Sequence, residues 1–142
     1  MNSYTPDRVI NGTFGECWID GEYMAETTAL NAKVTLEKSE VHQTGKLTKG
    51  YKVTGIDGKG TLKLNKVSSY FINKLSENIK AGRTTTATII SKLADPDSLG
   101  SERIQLEGCT FDELTLVNWE AKKLGEESIP FTFTSWTTLD LI

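Results

Sequence analysis

The sequence holds one histidine, two cysteines and three prolines, and it has no apolar run near the roughly 18 residues that a membrane-spanning helix needs. Each shortage excludes a class of function. The one histidine, His42, sits in the polar stretch Ser39-Glu40-Val41-His42-Gln43-Thr44-Gly45. It has no companion to make a metal pair, and it suits a surface turn better than a general base. No C-x-x-C pair is present, so zinc and dithiol chemistry have no footing. Cys17 and Cys109 lie far apart and are expected as buried free thiols, with a single bridge as the other possibility. The first residues lack the basic and apolar regions of a secretory signal. Folding in the cytoplasm, without a membrane, is the expectation.

Other motifs of chemistry are also missing. Gly58-Lys59-Gly60-Thr61 lacks the upstream glycine spacing of a phosphate-binding loop, and a hairpin turn explains it better. The acidic pairs Asp95/Asp97, Asp112/Glu113 and Glu126/Glu127 suit loops and solvated turns. Aromatic residues are not interleaved with basic ones as on an oligonucleotide-binding sheet. The expectation is no catalytic residue, no cofactor and no metal site.

What is present is a chain of 142 residues, enough for one domain with a sizeable core over 1–142. The net charge of −3 argues against a grip on duplex DNA. The charges are unevenly spread. From Lys46 to Lys66 there are six lysines and one acid, Asp57; from Asp95 to the C-terminus there are ten acids and three bases. These are either two solvated faces or the two halves of a head-to-tail contact between copies.

Threonine and glycine are common, and strand signals follow one another. Glu16-Cys17-Trp18-Ile19 leads into Asp20-Gly21, a type I′ hairpin signal, and on to a strand over Glu22 to Thr27. Ala32, Val34 and Leu36 alternate with Lys33, Thr35 and Glu37. Asp57-Gly58 predicts a second hairpin between Tyr51–Ile56 and Lys59–Val67. The period then changes: Phe71, Ile72, Leu75 and Ile79 predict one helix over 69–81, opened by Ser68 or Ser69 and closed at Gly82. Strands resume at Thr84–Leu93, Glu102–Glu107 and Phe111–Val117, with a loop at Ala94–Gly100 and a turn or bulge at Gly108. Asn118–Gly125 suggests a helical turn, and a last strand runs over Phe131–Thr134. The fold class is mainly β, a sandwich or barrel with one flanking helix. The apolar C-terminus, with Trp136, Leu139, Leu141 and Ile142, either completes its own core or docks onto another copy.

Several segments carry a family resemblance. They are Gly12-Thr13-Phe14-Gly15-Glu16-Cys17-Trp18-Ile19-Asp20-Gly21, Lys33-Val34-Thr35-Leu36-Glu37-Lys38, Gly50-Tyr51-Lys52-Val53-Thr54-Gly55 and Gly60-Thr61-Leu62-Lys63-Leu64. Further on come Ile89-Ile90-Ser91-Lys92-Leu93 before Asp95-Pro96, then Phe111-Asp112-Glu113-Leu114, and Glu127-Ser128-Ile129-Pro130-Phe131-Thr132-Phe133. In this order, over nearly the whole chain, they resemble the tail tube (core tail) proteins of contractile phages and phage-tail-like bacteriocins. The resemblance implies a tail-tube-like fold, hexameric rings and a hollow tube of stacked rings. It implies as partners copies of itself, a tail sheath protein, a baseplate or tail initiator, a tape-measure protein, and DNA only as non-specific cargo of the lumen. It implies assembly in the bacterial cytoplasm and residence in a tail or tail-like particle.

Within that frame Lys46, Lys49, Lys52 and Lys59 are candidates for the contact between rings, and Trp136, Leu139, Leu141 and Ile142 for a docking terminus. Two other readings compete. In one, Trp18, Trp119 and Trp136 form a stacking platform in a sugar- or peptide-binding β-domain. In the other, the chain is a tube component of the type VI secretion kind.

Overall fold

The computed structural model describes residues 3–142. Eight strands and one helix follow each other in the order β1 (Gly15–Ile19), β2 (Glu22–Tyr23), β3 (Thr27–Val41), β4 (Gly50–Asn65), α1 (Tyr70–Lys80), β5 (Thr86–Leu93), β6 (Glu102–Phe111), β7 (Glu126–Phe133) and β8 (Ser135–Asp140). All strand pairs are antiparallel. The sheet order is β2-β1-β5-β6-β7-β4-β3, with β8 on the edge of β6 beyond β7.

One face of this sheet carries the core. Leu62 and Leu64 of β4, Ile129, Phe131 and Phe133 of β7, Ile89 of β5, Leu106 and Cys109 of β6, and Cys17 and Ile19 of β1 are all buried. The helix covers part of that face through Phe71 and Leu75, and the Phe71 ring meets Phe111 edge-on at 5.4 Å. Its predicted bounds hold. Gly82 closes it at φ +71, a conformation glycine adopts without strain. Ile79 departs from the expected stripe and is exposed. Asp20 fixes the helix to the sheet. Its carboxylate accepts the Lys74 ammonium at 2.6 Å and the Thr88 N–H at 2.9 Å. Desolvation pushes the Asp20 pKa up, but these two hydrogen bonds outweigh it and hold the carboxyl below its ordinary value.

The Asp20-Gly21 turn forms as predicted, with φ of +50 and +84. The strand after it is shorter than predicted. β2 ends at Tyr23 because the chain turns after Met24, where the Thr27 N–H bonds the Met24 carbonyl; Met24 itself is buried, with its N–H on the Cys17 carbonyl.

The second predicted hairpin is absent. β4 runs unbroken through Asp57-Gly58, and the β3–β4 turn lies at 42–49, where Gly45 has φ +81. Aromatic packing accounts for the glycines. A Cβ on Gly58 would stand 2.7 Å from the Phe133 ring, and one on Gly60 would stand 2.5 Å from the Phe131 ring. The two rings lie flat on bare backbone, a role of glycine inside strands.

Two further segments differ from expectation. β6 is one strand through Gly108, whose φ of +64 makes a bulge opposite β5. Past Phe111 the chain leaves the sheet instead of forming a strand to Val117. β5 occupies one edge of β6, and β7 with β8 occupies the other, so no edge remains for it. The link 112–125 is irregular. It holds a turn closed by the Lys123 N–H on the Glu120 carbonyl, not a helix. The strand predicted as the last, over Phe131–Thr134, is β7, which begins earlier, at Glu126, and a further strand that was not predicted, β8, follows it. The Lys66 ammonium on the buried Glu127 carboxylate ties the end of β4 to the start of β7.

Replacing Gly60 by Ala forces the Phe131 ring and the Asn31 carbonyl aside. The overpacking is expected to destabilise the fold by about 1–3 kcal/mol. A lowered urea midpoint checks this, and an unchanged midpoint contradicts the packing described.

Candidate assembly surface

β3 and β4 are 15 and 16 residues long, but β7 is only 8. From Gly58 to Asn65, β4 lies between β3 and β7. From Gly50 to Asp57 it pairs with β3 alone. The outer half of this hairpin therefore stands off the body as a two-stranded arm.

The alternation that buries Leu62, Leu64, Leu30 and Val34 continues outward to the facing pair Leu36 and Ile56. A bulge at Thr54 shifts the register, after which Val53 and Tyr51 follow on the same face. On the arm nothing among the described residues covers this face. Leu36 is 50% exposed, Ile56 61% and Tyr51 62%. At the tip Leu47 is fully exposed. A bare apolar stripe on a strand pair with a free edge is a surface that calls for a partner.

The predicted lysines divide. Lys46 and Lys49 lie at the tip and Lys52 on the arm, with Lys49 3.5 Å from Glu40. Lys59 lies nearer the body, opposite Lys33 and Thr132, and pairs with Asp57 at 3.5 Å. It does not join the other three. His42 is exposed beside Glu40 at 3.7 Å.

The C-terminus adds a strand to its own sheet without adding to the core. Trp136 pairs across from Leu106 and stands edge-on to Phe133 at 6.5 Å, yet it and Leu139 remain more than 40% exposed. Leu141 and Ile142 follow β8, and Ile142 reaches Gly100. β8 and the arm diverge where Gly58 meets Phe133, so Ile56 and Trp136 line one fork. Beneath it the core face opens as an apolar cleft of about 390 Å³ between Leu30, Val34, Leu106 and Trp136.

The three tryptophans do not gather. Trp18 lies against Tyr23, the rings tilted with centroids 5.2 Å apart, Trp136 sits on β8, and Trp119 is exposed on the link 112–125. Among the described residues no group of three or more His, Cys, Asp or Glu could hold a metal, and no helix is long and apolar enough to cross a membrane. Sequence reasoning missed two surfaces. The stripe of Leu36, Ile56, Val53 and Tyr51 was hidden because the mistaken turn at Asp57 split its strand. The exposed Leu116, Val117 and Leu124 of the link were concealed in an assumed strand and helical turn.

This is a β-protein whose paired strands outrun its own core. A family model of phage tail tube proteins matches residues 2–140, and the chain belongs to that family. It is 35% identical over 126 residues to the phage-like element PBSX protein XkdM of Bacillus subtilis (strain 168), covering 87% of this chain and 86% of that one. Its fold is shared with a chain of the sheath–tube complex of the extracellular contractile injection system PVC, at a TM-score of 0.70 and 9% identity over 98% of this chain and 100% of the other. It is shared too with a chain of the tube-terminating cap of the anti-feeding prophage, at a TM-score of 0.72 and 12% identity over 99% and 95%. The role is structural, in a tail tube.

Both cysteines are free and buried in the core face. Burial pushes the Cys17 and Cys109 thiols up to about 11. The folded chain is therefore expected to resist Ellman's reagent at pH 8 and to titrate two thiols once unfolded in urea. Rapid reaction of either thiol in the folded chain contradicts the placement.

Proposed function

We propose that the chain is the repeating subunit of the inner tube of a contractile tail or tail-like particle, assembling as hexameric rings stacked into a hollow conduit. The whole chain, 1–142, acts as one tail tube domain and carries out no catalysis. The observation that carries this reading is the arm: a strand pair that leaves its apolar face and one edge unmet within the molecule. In a closed ring of identical copies, sheet edges find partners and cease to be exposed. Contacts along the axis repeat from ring to ring.

The partners that go with this reading are a sheath around the tube, a baseplate or tail initiator beneath it, and a tape-measure protein within it. DNA passes as non-specific cargo where the particle is infectious, and the chain's net negative charge suits a conduit that does not hold it. Assembly takes place in the host cytoplasm. Lys46, Lys49 and Lys52 act in the contact between rings, with Lys59 at its margin, and Trp136, Leu139, Leu141 and Ile142 form a docking surface toward a neighbouring copy.

Concentrated protein, seeded with tail initiation complexes where needed, is expected to form rings and long tubes in negative-stain micrographs. Reversing Lys46, Lys49 and Lys52 to Glu is expected to shorten or abolish the tubes while leaving the melting temperature unchanged. Wild-type-like tubes from the triple variant contradict the role given to the lysines; solitary wild-type chains at every concentration contradict the tube itself.

A further inference from the structure

The two poles of β4 carry opposite charge. Between His42 and Ile56, around the arm tip, the sequence has three lysines and no carboxylate. Lys46 and Lys52 enter no ion pair among the described residues. Toward the other pole, the link 112–125 and the first residue of β7 carry Asp112, Glu113, Glu120 and Glu126 against Lys122 and Lys123, with Lys123 paired to Glu120 at 3.1 Å; Asp112 stands nearest the middle of β4, its N–H on the Pro130 carbonyl and its side chain in one hollow with Lys33 and Lys59. Asp112, Glu113 and Glu126 are exposed, and among the described residues they enter no ion pair.

The two poles also match in apolar character. Leu47 at the tip is fully exposed. On the link, Trp119 is 82% and Leu124 94% exposed. Exposed tryptophan and leucine side chains on one link are the residue types that anchor interfaces.

Distance makes the pairing intermolecular. The 16 residues of β4, at about 3.3 Å each, separate its ends by about 50 Å. The tip cannot fold back onto its own link along that strand. Complementary surfaces at opposite poles join one copy to the next and leave a free pole at each end, so the contact propagates.

We infer that the link 112–125 is the surface that receives the arm tip of a second copy, with Leu47 against Trp119 and Leu124 and with Lys46 and Lys52 facing Glu113 and Glu126. This rests on the tube reading and deepens it by naming the receiving side. The apolar contact supplies most of the affinity, and the rim charges set orientation and rate of encounter.

The test is a disulfide between copies. The variant Leu47→Cys/Leu124→Cys is assembled into tubes, oxidised mildly and run on a non-reducing gel; the native thiols are buried and do not compete. A ladder of linked multimers that collapses on reduction is expected, and Leu47→Cys alone should give no ladder. Tubes that yield only monomer overturn the inference and leave the link facing something else, such as a sheath. Should the double-cysteine variant fail to assemble, Trp119→Ser/Leu124→Ser decides. Its melting temperature should match wild type while the concentration needed for tube growth rises about tenfold or more; unchanged growth overturns the inference. Failure of the unaltered chain to form tubes, seen in micrographs before any oxidation, is instead the failure of the tube reading itself.

Discussion

Everything distinctive in this molecule depends on one mismatch of length: β3 and β4 are about twice as long as β7, the strand that joins them to the body. Where β7 is present, β4 is a central strand, and its alternate residues are buried. Where β7 ends, the same alternation continues into solvent, and Leu36, Ile56, Val53 and Tyr51 have no cover. Covering such residues is worth about 25 cal/mol per Å² of apolar surface removed from water. An isolated two-stranded ribbon is marginal alone. The arm is thus the part of the fold with most to gain from another copy.

The body is built to hold that arm steady at its root. Phe131 and Phe133 lie on the bare backbone of Gly60 and Gly58, so β7 clamps β4 at the point where the arm departs. At the far pole, Lys66 and Glu127 lock β4 to the start of β7. Asp20 and Lys74 hold the helix across the core face. β8 leaves β7 at the same level and takes the remaining edge of β6, which places Trp136 in the fork beside Ile56. In the proposed tube, a root clamped in this way presents the arm to the next copy in one register.

The sequence disclosed those features whose cause is local. The helix was readable because Phe71 and Leu75 fall at helical spacing and Gly82 ends it. The Asp20-Gly21 turn was readable because both residues take positive φ there. Asp57-Gly58 carries the same dipeptide signal and forms no turn, because its glycine serves a ring 75 residues further along the chain. That is long-range information, absent from any local window. The run from Phe111 to Val117 looked like a strand for the same reason: only the full pairing of β6 shows that no edge is left for it. The candidate contact residues Lys46, Lys49, Lys52 and Lys59 were grouped by sequence proximity alone; the first three lie on the arm and its tip, whereas Lys59 lies nearer the body because no hairpin forms at Asp57-Gly58 and β4 runs straight through it.

The central claim is that the arm is an element completed by other copies of the chain. Hydrogen exchange of its backbone amides, compared between monomer and assembled tube, tests this most directly. Amides of residues 36–41 and 50–56 are expected to exchange quickly in the monomer and to become protected on assembly, while those of β5 and β7 are protected in both. Tubes in which the arm amides still exchange at the monomer rate would contradict the account.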